Sequence, residues 1–201
     1  MEENKKQRSW FALRVYYDKV VPCRALFVAF NDVLRGINPP GPYFPKELEG
    51  EPMDYYAPLY RDTYVNNKGK QVVVQKAFIR SLFFMHSTLQ QAECFEMTLP
   101  YRAGLYRTMG EEPHVPIRIP EKQMKMFMRV TSGSQDGLDY FEDNAFSWKK
   151  GVRVRVTGGR FEGLEGEIKR IDGDKRLVVA IEGICAVATS YIPKCFLEKI
   201  E

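Results

Sequence analysis

Residues 151–168, GVRVRVTGGRFEGLEGEI, constrain the fold more than any other stretch of the chain. Val152, Val154 and Val156 alternate with two arginines, so the valines share one face of a strand and the arginines share the other. Four glycines then fall within nine residues, and glycine readily adopts the positive φ angles of tight turns. The alternation resumes at once, which predicts two short strands joined by a tight loop.

The rest of the C-terminal part also alternates short apolar runs with turn-forming segments. A turn-forming DGDKR segment at 172–176 is followed by the apolar run RLVVAIEG, and a last element begins near Ser190. Five short strands in about 55 residues predict an all-β, SH3-like barrel over residues 147–201, close to the smallest size that folds alone.

The N-terminal part mixes α and β patterns. Residues 10–17, WFALRVYY, are aromatic and β-branched and favour a buried strand. The next segment has apolar residues at spacings of 3, 4 and 7, which predicts a helix capped near Asp18 and ended by Gly36.

Two long strands are predicted next, at 55–65 and 71–85, joined by the hairpin tip NNKGK at 66–70. A closing helix follows Pro120. The N-terminal part therefore reads as an α+β domain with an antiparallel sheet and flanking helices.

Residues 131–146 contain four acidic side chains and no lysine or arginine, between two basic blocks. This segment is interpreted as an acidic interdomain linker, whose aromatic residues Tyr140, Phe141 and Phe146 predict docking of its far end on a surface. The predicted domains are 8–130, the linker 131–146, and 147–201.

Several classes of protein are disfavoured. No apolar run of about 18 residues predicts a membrane span, and the charged N-terminus lacks a signal peptide's apolar region, so a cytoplasmic location is expected. Four cysteines without CxxC spacing and two distant histidines predict no metal site and no cofactor. His86 and Ser87 are neighbours on a strand and point to opposite faces, so no catalytic residues are assigned and no enzyme is expected.

The order of these parts resembles NusG-type transcription factors, in which an NGN domain precedes a KOW domain. The alternating valines, the glycines and Phe161 of the 151–168 segment resemble a KOW motif. WFALRV at 10–15, YAPLYRD at 56–62 and IPEKQMKMFMRV at 119–130 are similar to the opening strand, the strand before the hairpin and the closing helix of NGN domains. The C-terminal run at 182–200 and the linker are similar to UpxY-type antiterminators of polysaccharide operons.

The resemblance implies a protein that binds the clamp of RNA polymerase through an apolar patch, suppresses pausing and promotes read-through of terminators. Phe78, Tyr56 and Tyr60 are the expected polymerase contacts, and plain core packing is the alternative for Phe78. Ile79 and Arg80 replace the family's Pro–Gly, and Ser81 stands where its second aromatic residue usually lies.

The resemblance also implies nucleic-acid contact at the hairpin, with upstream or non-template DNA. Lys68, Lys70, Lys76 and Arg80 are the expected contacts, through salt-sensitive binding of phosphates. A solvated hairpin tip is the alternative.

In the barrel, Phe161 between two glycines is expected to be prominent, with Arg160 at its rim, as an anchor for a ribosomal protein, a termination factor or RNA. The alternative is a ring folded over the open end of the barrel. Two other functions stay open: a housekeeping factor that couples polymerase to the ribosome or to a termination factor, and a ribosome- or RNA-binding KOW protein.

Overall fold

The computed structural model describes residues 7–40, 51–100, 102–108, 114–132, 136–142 and 151–200. Contacts divide the chain into two compact units, Met1–Arg118 and Ile119–Glu201. The division falls before the predicted closing helix, which makes its contacts with strands of the second unit. No helix among the described residues is long and apolar enough to cross a membrane.

The first unit is an α+β structure. Its elements are, in chain order, β1 (Ser9–Val15), α1 (Val20–Leu34), β2 (Asp54–Tyr56), β3 (Leu59–Val65), β4 (Gln71–Ala77), β5 (Leu82–Ser87), α2 (Leu89–Thr98) and β6 (Ala103–Leu105). An antiparallel sheet has the strand order β2-β5-β1-β6, and β3 and β4 form a separate two-stranded sheet.

The core of this unit lies between the sheet and its two helices. Alternate residues of β1, among them Phe11 and Leu13, face buried side chains of α1 and α2. Phe27 of α1 lies 5.3 Å from Phe83 and 5.2 Å from Phe95, measured between ring centroids. Such aromatic pairs add to the free energy gained by burying their apolar area.

Each of the two long predicted strands is broken in the structure. The first becomes β2 and β3, and the second becomes β4 and β5, with a turn at residues 78–81 between them. Pro58 has no N–H with which to continue a ladder, and its carbonyl accepts the N–H of Phe78 at 2.9 Å. The bond links residue 58, between β2 and β3, to residue 78, between β4 and β5. Beyond it, β3 and β4 form a hairpin that is not part of the main sheet.

Two local features differ from the sequence prediction. Helix α1 begins after Lys19 and not after a side-chain cap at Asp18, because Tyr17 and Asp18 both adopt positive φ. Helix α2 was not predicted, although the sequence contains its capping box. The Thr88 side chain accepts the N–H of Gln91, whose own side chain accepts the N–H of Thr88.

At the free edge of β6, side chains bind the main chain of Leu105. The Glu96 carboxylate accepts the N–H of Leu105 at 2.8 Å and pairs with Arg107 at 2.6 Å. The same arginine donates to the carbonyl oxygen of Leu105 at 3.2 Å. Both main-chain groups of Leu105 are therefore satisfied by side chains and not by another strand.

The second unit is one helix on an antiparallel sheet. Its elements are α3 (Glu121–Thr131), β7 (Asp139–Glu142), β8 (Val152–Val156), β9 (Glu165–Ile171), β10 (Asp174–Ile181), β11 (Cys185–Tyr191), a 3-10 helix (Lys194–Phe196) and β12 (Leu197–Lys199). The strand order is β12-β8-β9-β10-β11-β7, which confirms the predicted all-β character of the C-terminal region.

Residues 139–142 differ from the linker prediction, because they form strand β7 on β11. Tyr140 and Phe141 are half-buried there, and Phe146 lies outside the described residues. The sequence did not predict this strand, because its residues are acidic and its partner strand lies 40 or more residues further along the chain.

Two glycines of the 151–168 segment are required by close packing. A Cβ at Gly166 would lie 2.4 Å from the carbonyl oxygen of Val178, and a Cβ at Gly158 would lie 2.9 Å from the ring of Phe196. These two glycines therefore let strand and ring approach closely.

Helix α3 is tied to the sheet by charged groups as well as apolar ones. Met124 and Phe127 are fully buried, as their predicted apolar stripe requires. Glu165 of β9 lies 2.8 Å from both Lys122 of α3 and Arg155 of β8. Hydrogen bonds from Lys122 and then Arg155 lower the pKa of Glu165 from 4.5 to about 2.

We expect this arrangement to make the second unit sensitive to acid. A carboxylate whose pKa is lower in the folded state stabilises that state above its unfolded pKa, and the stabilisation is lost as pH falls. Between pH 4.5 and about 2, the melting temperature of the wild type should therefore fall more steeply than that of Glu165→Gln. Thermal unfolding followed by circular dichroism across this range measures the difference.

The matched control is Glu162→Gln. Glu162 is exposed and meets Arg129 through its main-chain carbonyl, so its substitution should leave the pH profile unchanged. Parallel profiles for the wild type and Glu165→Gln would contradict the assignment.

Candidate nucleic-acid interface on the hairpin

The β3–β4 hairpin presents side chains on both of its faces. The strands pair from Leu59↔Ala77 to Val65↔Gln71, and directly opposed residues lie on the same face. One face carries Tyr60, Asp62, Tyr64, Val72, Val74 and Lys76. The other carries Arg61, Val65, Val73 and Gln75.

Large apolar side chains are exposed on this hairpin. Tyr64 is 50% exposed, Val65 is 63% exposed and Val73 is 62% exposed. Val65 and Val73 share one face and Tyr64 lies on the other, so both faces offer exposed apolar area for contact with another molecule. Sequence analysis missed Tyr64, Val65 and Val73, because their strand-like alternation reads equally well as a buried face.

The tip of the hairpin is organised by one asparagine. The Asn66 side-chain oxygen accepts the main-chain N–H groups of Lys68 and Lys70, each at 3.0 Å. Gly69 adopts a φ of 73°, and its N–H bonds to the Asn66 carbonyl at 2.9 Å. Both predicted lysines are exposed at this ordered turn, where their ammonium groups can meet phosphates.

Lys76 is placed differently from the tip lysines. Its ammonium lies 2.6 Å from the Asp62 carboxylate on the same face. The hydrogen bond and the charge attraction lower the pKa of Asp62 and raise that of Lys76. Because the pair is exposed, it adds little to stability, but a phosphate at Lys76 must compete with Asp62.

Arg80 lies at the other end of the hairpin, in the turn between β4 and β5. It is exposed and lines a cleft of about 210 Å³ together with Asp18, Gln75 and Lys76. The four predicted cations are therefore split between the tip and the base of one hairpin.

The three predicted polymerase contacts surround the base of the hairpin. Tyr56 is half-buried on β2, where its ring lies 6.5 Å from that of Phe84. Phe78 is half-buried, and its N–H bonds to Pro58. Tyr60 is 39% exposed. Of the three, Tyr60 offers the most open surface, and Phe78 and Tyr56 are half-buried.

The turn between β1 and α1 carries a further exposed aromatic residue. Tyr17 is 77% exposed and adopts a φ of 59°. Beside it, the Arg102 guanidinium lies 4.7 Å from the ring centre of Tyr16. A bulky residue held in the left-handed region is strained, and such strain tends to occur at functional sites. Sequence analysis placed Tyr17 in a strand and gave it no role.

The predicted prominence of Phe161 is wrong. Its ring is 9% exposed, and the Arg160 guanidinium lies 5.0 Å from its centre. The neighbouring Gly159 and Gly163 both adopt positive φ and fold the loop tightly, so the ring turns inward. Arg160 itself is exposed and donates to the carbonyl of Asp136 at 3.3 Å.

Metal ligation has no support in the part of the chain that the structure describes, since no three His, Cys, Asp or Glu side chains there are grouped to hold an ion.

Comparison with known proteins gives a family match and several similar solved structures. Residues 150–181 match the family model of the KOW motif. A solved structure described as "Domain interaction in Thermotoga maritima NusG" is similar, with 17% identity, coverage of 97% of this chain and 98% of that chain, and a TM-score of 0.45. Another, of the MjSpt4:Spt5 complex, has 10% identity, coverage of 96% and 97%, and a TM-score of 0.29. No curated protein matches the chain.

We expect Tyr17→Gly to stabilise the protein by about 0.5–1 kcal/mol. Left-handed backbone costs a residue with a Cβ roughly 1–2 kcal/mol, and part of the relief is offset by the greater freedom of glycine in the unfolded chain. Urea unfolding measures the change.

The control is Tyr64→Gly, at an exposed tyrosine in the middle of β3. It should destabilise by about 1 kcal/mol, because glycine weakens a strand. Equal losses for both variants would show that Tyr17 is not strained.

Proposed function

We propose that this protein is a NusG-type transcription elongation factor that binds RNA polymerase through its first unit and a second partner through its second. The observation that carries the proposal is the order of parts. An α+β unit with an exposed apolar and basic hairpin is followed by a sheet whose residues 150–181 match the KOW motif.

The polymerase contact is assigned to the base of the hairpin. Tyr60 is the exposed anchor, and the half-buried Phe78 and Tyr56 contribute further aromatic surface. Aromatic residues are enriched among the few residues that dominate a binding interface. Binding of this kind holds the polymerase clamp without any bond being made or broken.

The nucleic-acid contact is assigned to Lys68 and Lys70 at the tip, with Arg80 at the base and Lys76 in a lesser role. Lysines bind phosphate as point charges and read no sequence, which suits upstream or non-template DNA beside a moving polymerase. Tyr17 and Arg102 add an aromatic and cationic surface at the β1–α1 turn.

The finer proposal is antitermination in long operons, such as those for polysaccharide synthesis. It is supported by the resemblance of the linker and of residues 182–200 to UpxY-type factors. The second unit is assigned a ribosomal protein, a termination factor or RNA as its partner. A housekeeping role remains the alternative, and deletion of the protein separates the two: loss of distal transcripts in one operon favours specialisation, and global change favours housekeeping.

The test of polymerase binding is a pull-down of purified core RNA polymerase by the full chain. We expect the wild type to retain polymerase and Tyr60→Ser to lose at least tenfold in affinity. Tyr191→Ser is the matched control, because Tyr191 is 59% exposed but lies in the second unit. Absence of binding by the wild type would leave the ribosome- or RNA-binding alternative. If binding holds, transcription of the neighbouring operon's leader in vitro tests read-through.

Nucleic-acid contact has its own test, by fluorescence anisotropy with duplex and single-stranded DNA at 50 and 200 mM salt. Lys68→Gln with Lys70→Gln should weaken binding and make the salt dependence shallower by about two charges. Lys76→Gln should have less effect, because Asp62 already neutralises that ammonium. An equal loss from Lys76→Gln would contradict the assigned roles.

A further inference from the structure

The β9–β10 hairpin of the second unit places two positive charges opposite each other near its end. The turn at residues 172–173 closes the hairpin, with positive φ at both of its residues. One step along the ladder, Arg170 of β9 lies directly opposite Lys175 of β10, and both side chains are exposed. Like charges that are directly opposed on a sheet destabilise it, so this pair has a cost that packing does not explain.

The other face of the same hairpin carries a second opposed pair of cations, and there acids balance the charges. Lys169 lies opposite Arg176. The Lys169 ammonium lies 3.5 Å from the Glu167 carboxylate, and the Arg176 guanidinium pairs with the Asp139 carboxylate. The repulsion on this face is therefore offset by residues of the chain itself.

Arg170 and Lys175 have no such acids. In the part of the chain that the structure describes, neither side chain makes an ion pair, although Asp172 and Asp174 lie in and beside the turn. The Cβ atoms of two directly opposed residues are about 5 Å apart, so two long side chains at such positions can converge on one anion. A phosphate group between them would replace the repulsion with attraction.

Apolar surface adjoins the pair on the same face. The next opposed pair on that face is Ile168↔Leu177, and Ile168 is half-buried. Val152 of β8 lies opposite Ile168, which makes it a diagonal neighbour of Arg170, and it is 53% exposed. A single-stranded nucleic acid presents phosphates next to unstacked bases, so it matches cations beside an apolar area better than a free phosphate or an acidic side chain does.

We propose that Arg170 and Lys175 bind the phosphodiester backbone of single-stranded RNA, with Val152 in contact with the adjoining ribose or base. Binding of this kind is sensitive to salt and does not read sequence. The inference deepens the second-partner part of the proposed function. It rests on that function for the choice of RNA, because a chain held on RNA polymerase lies beside a newly made, single-stranded transcript.

The test is fluorescence anisotropy with the full chain and a labelled single-stranded RNA of mixed sequence, at about 50 and 200 mM salt. Every protein in the series carries Lys68→Gln and Lys70→Gln, which removes the cations proposed to bind nucleic acid at the β3–β4 hairpin. In this background, Arg170→Gln with Lys175→Gln should weaken RNA binding by about tenfold and make its salt dependence shallower.

The matched control is Lys194→Gln with Lys199→Gln, which removes the same charge from two exposed lysines of the second unit. It should leave the RNA affinity nearly unchanged, because these lysines are not an opposed pair. Thermal unfolding accompanies each variant. Removal of Arg170 and Lys175 should leave the melting temperature equal or higher, since it removes a repulsion, and a lower value would overturn the proposal.

Three binding results would also overturn the proposal: unchanged RNA affinity in the pair variant, an equal loss in the control, or a loss confined to single-stranded DNA of the same sequence. Displacement of the RNA by poly-glutamate of equal total charge would indicate an acidic protein partner and would overturn it as well. Because no polymerase is present, none of these results alters the outcome of the polymerase pull-down, so the two proposals fail separately.

Discussion

The hydrogen bond between the Phe78 N–H and the Pro58 carbonyl, 2.9 Å long, is the constraint on which the candidate site depends. It lies where two strands leave the main sheet, and it fixes the base of the β3–β4 hairpin. Without this break, residues 71–85 would form one long sheet strand. Tyr60 would then lie within the sheet and the tip lysines at its rim. Because the break exists, the same residues form a separate two-stranded element with exposed side chains on both of its faces.

The sequence predicted the elements whose signals are local. The glycines and alternating valines of 151–168 predicted strands and tight turns, and the NNKGK tip predicted the hairpin. What was missed depends on distant partners. Strand β7 has an acidic sequence, and its pairing with β11 is visible only in three dimensions. The strain at Tyr17 could not be read either, since nothing in a tyrosine's sequence context requires positive φ. Helix α2 is the exception, because its capping box was present in the sequence.

The glycine-rich loop shows how one pattern supports two interpretations. Glycines on both sides of Phe161 were expected to expose the ring, but they turn it inward, and Gly158 makes room for Phe196. The glycines of this loop therefore allow Phe161 and Phe196 to pack closely, and they do not expose the Phe161 ring. The binding surfaces proposed here lie elsewhere, on the β3–β4 hairpin of the first unit, where two strands and the turn between them present the contacts, and at the end of the β9–β10 hairpin of the second.

The carboxylate of Glu96 has a consequence for the protein in a crowded cell. An exposed edge strand can pair with the edge strands of other copies of the same chain. A side chain that binds the N–H of the edge strand removes a group that such pairing needs. Glu96 and Arg107 do this at β6. With the main-chain groups of Leu105 occupied, a further strand has fewer groups to pair with at β6.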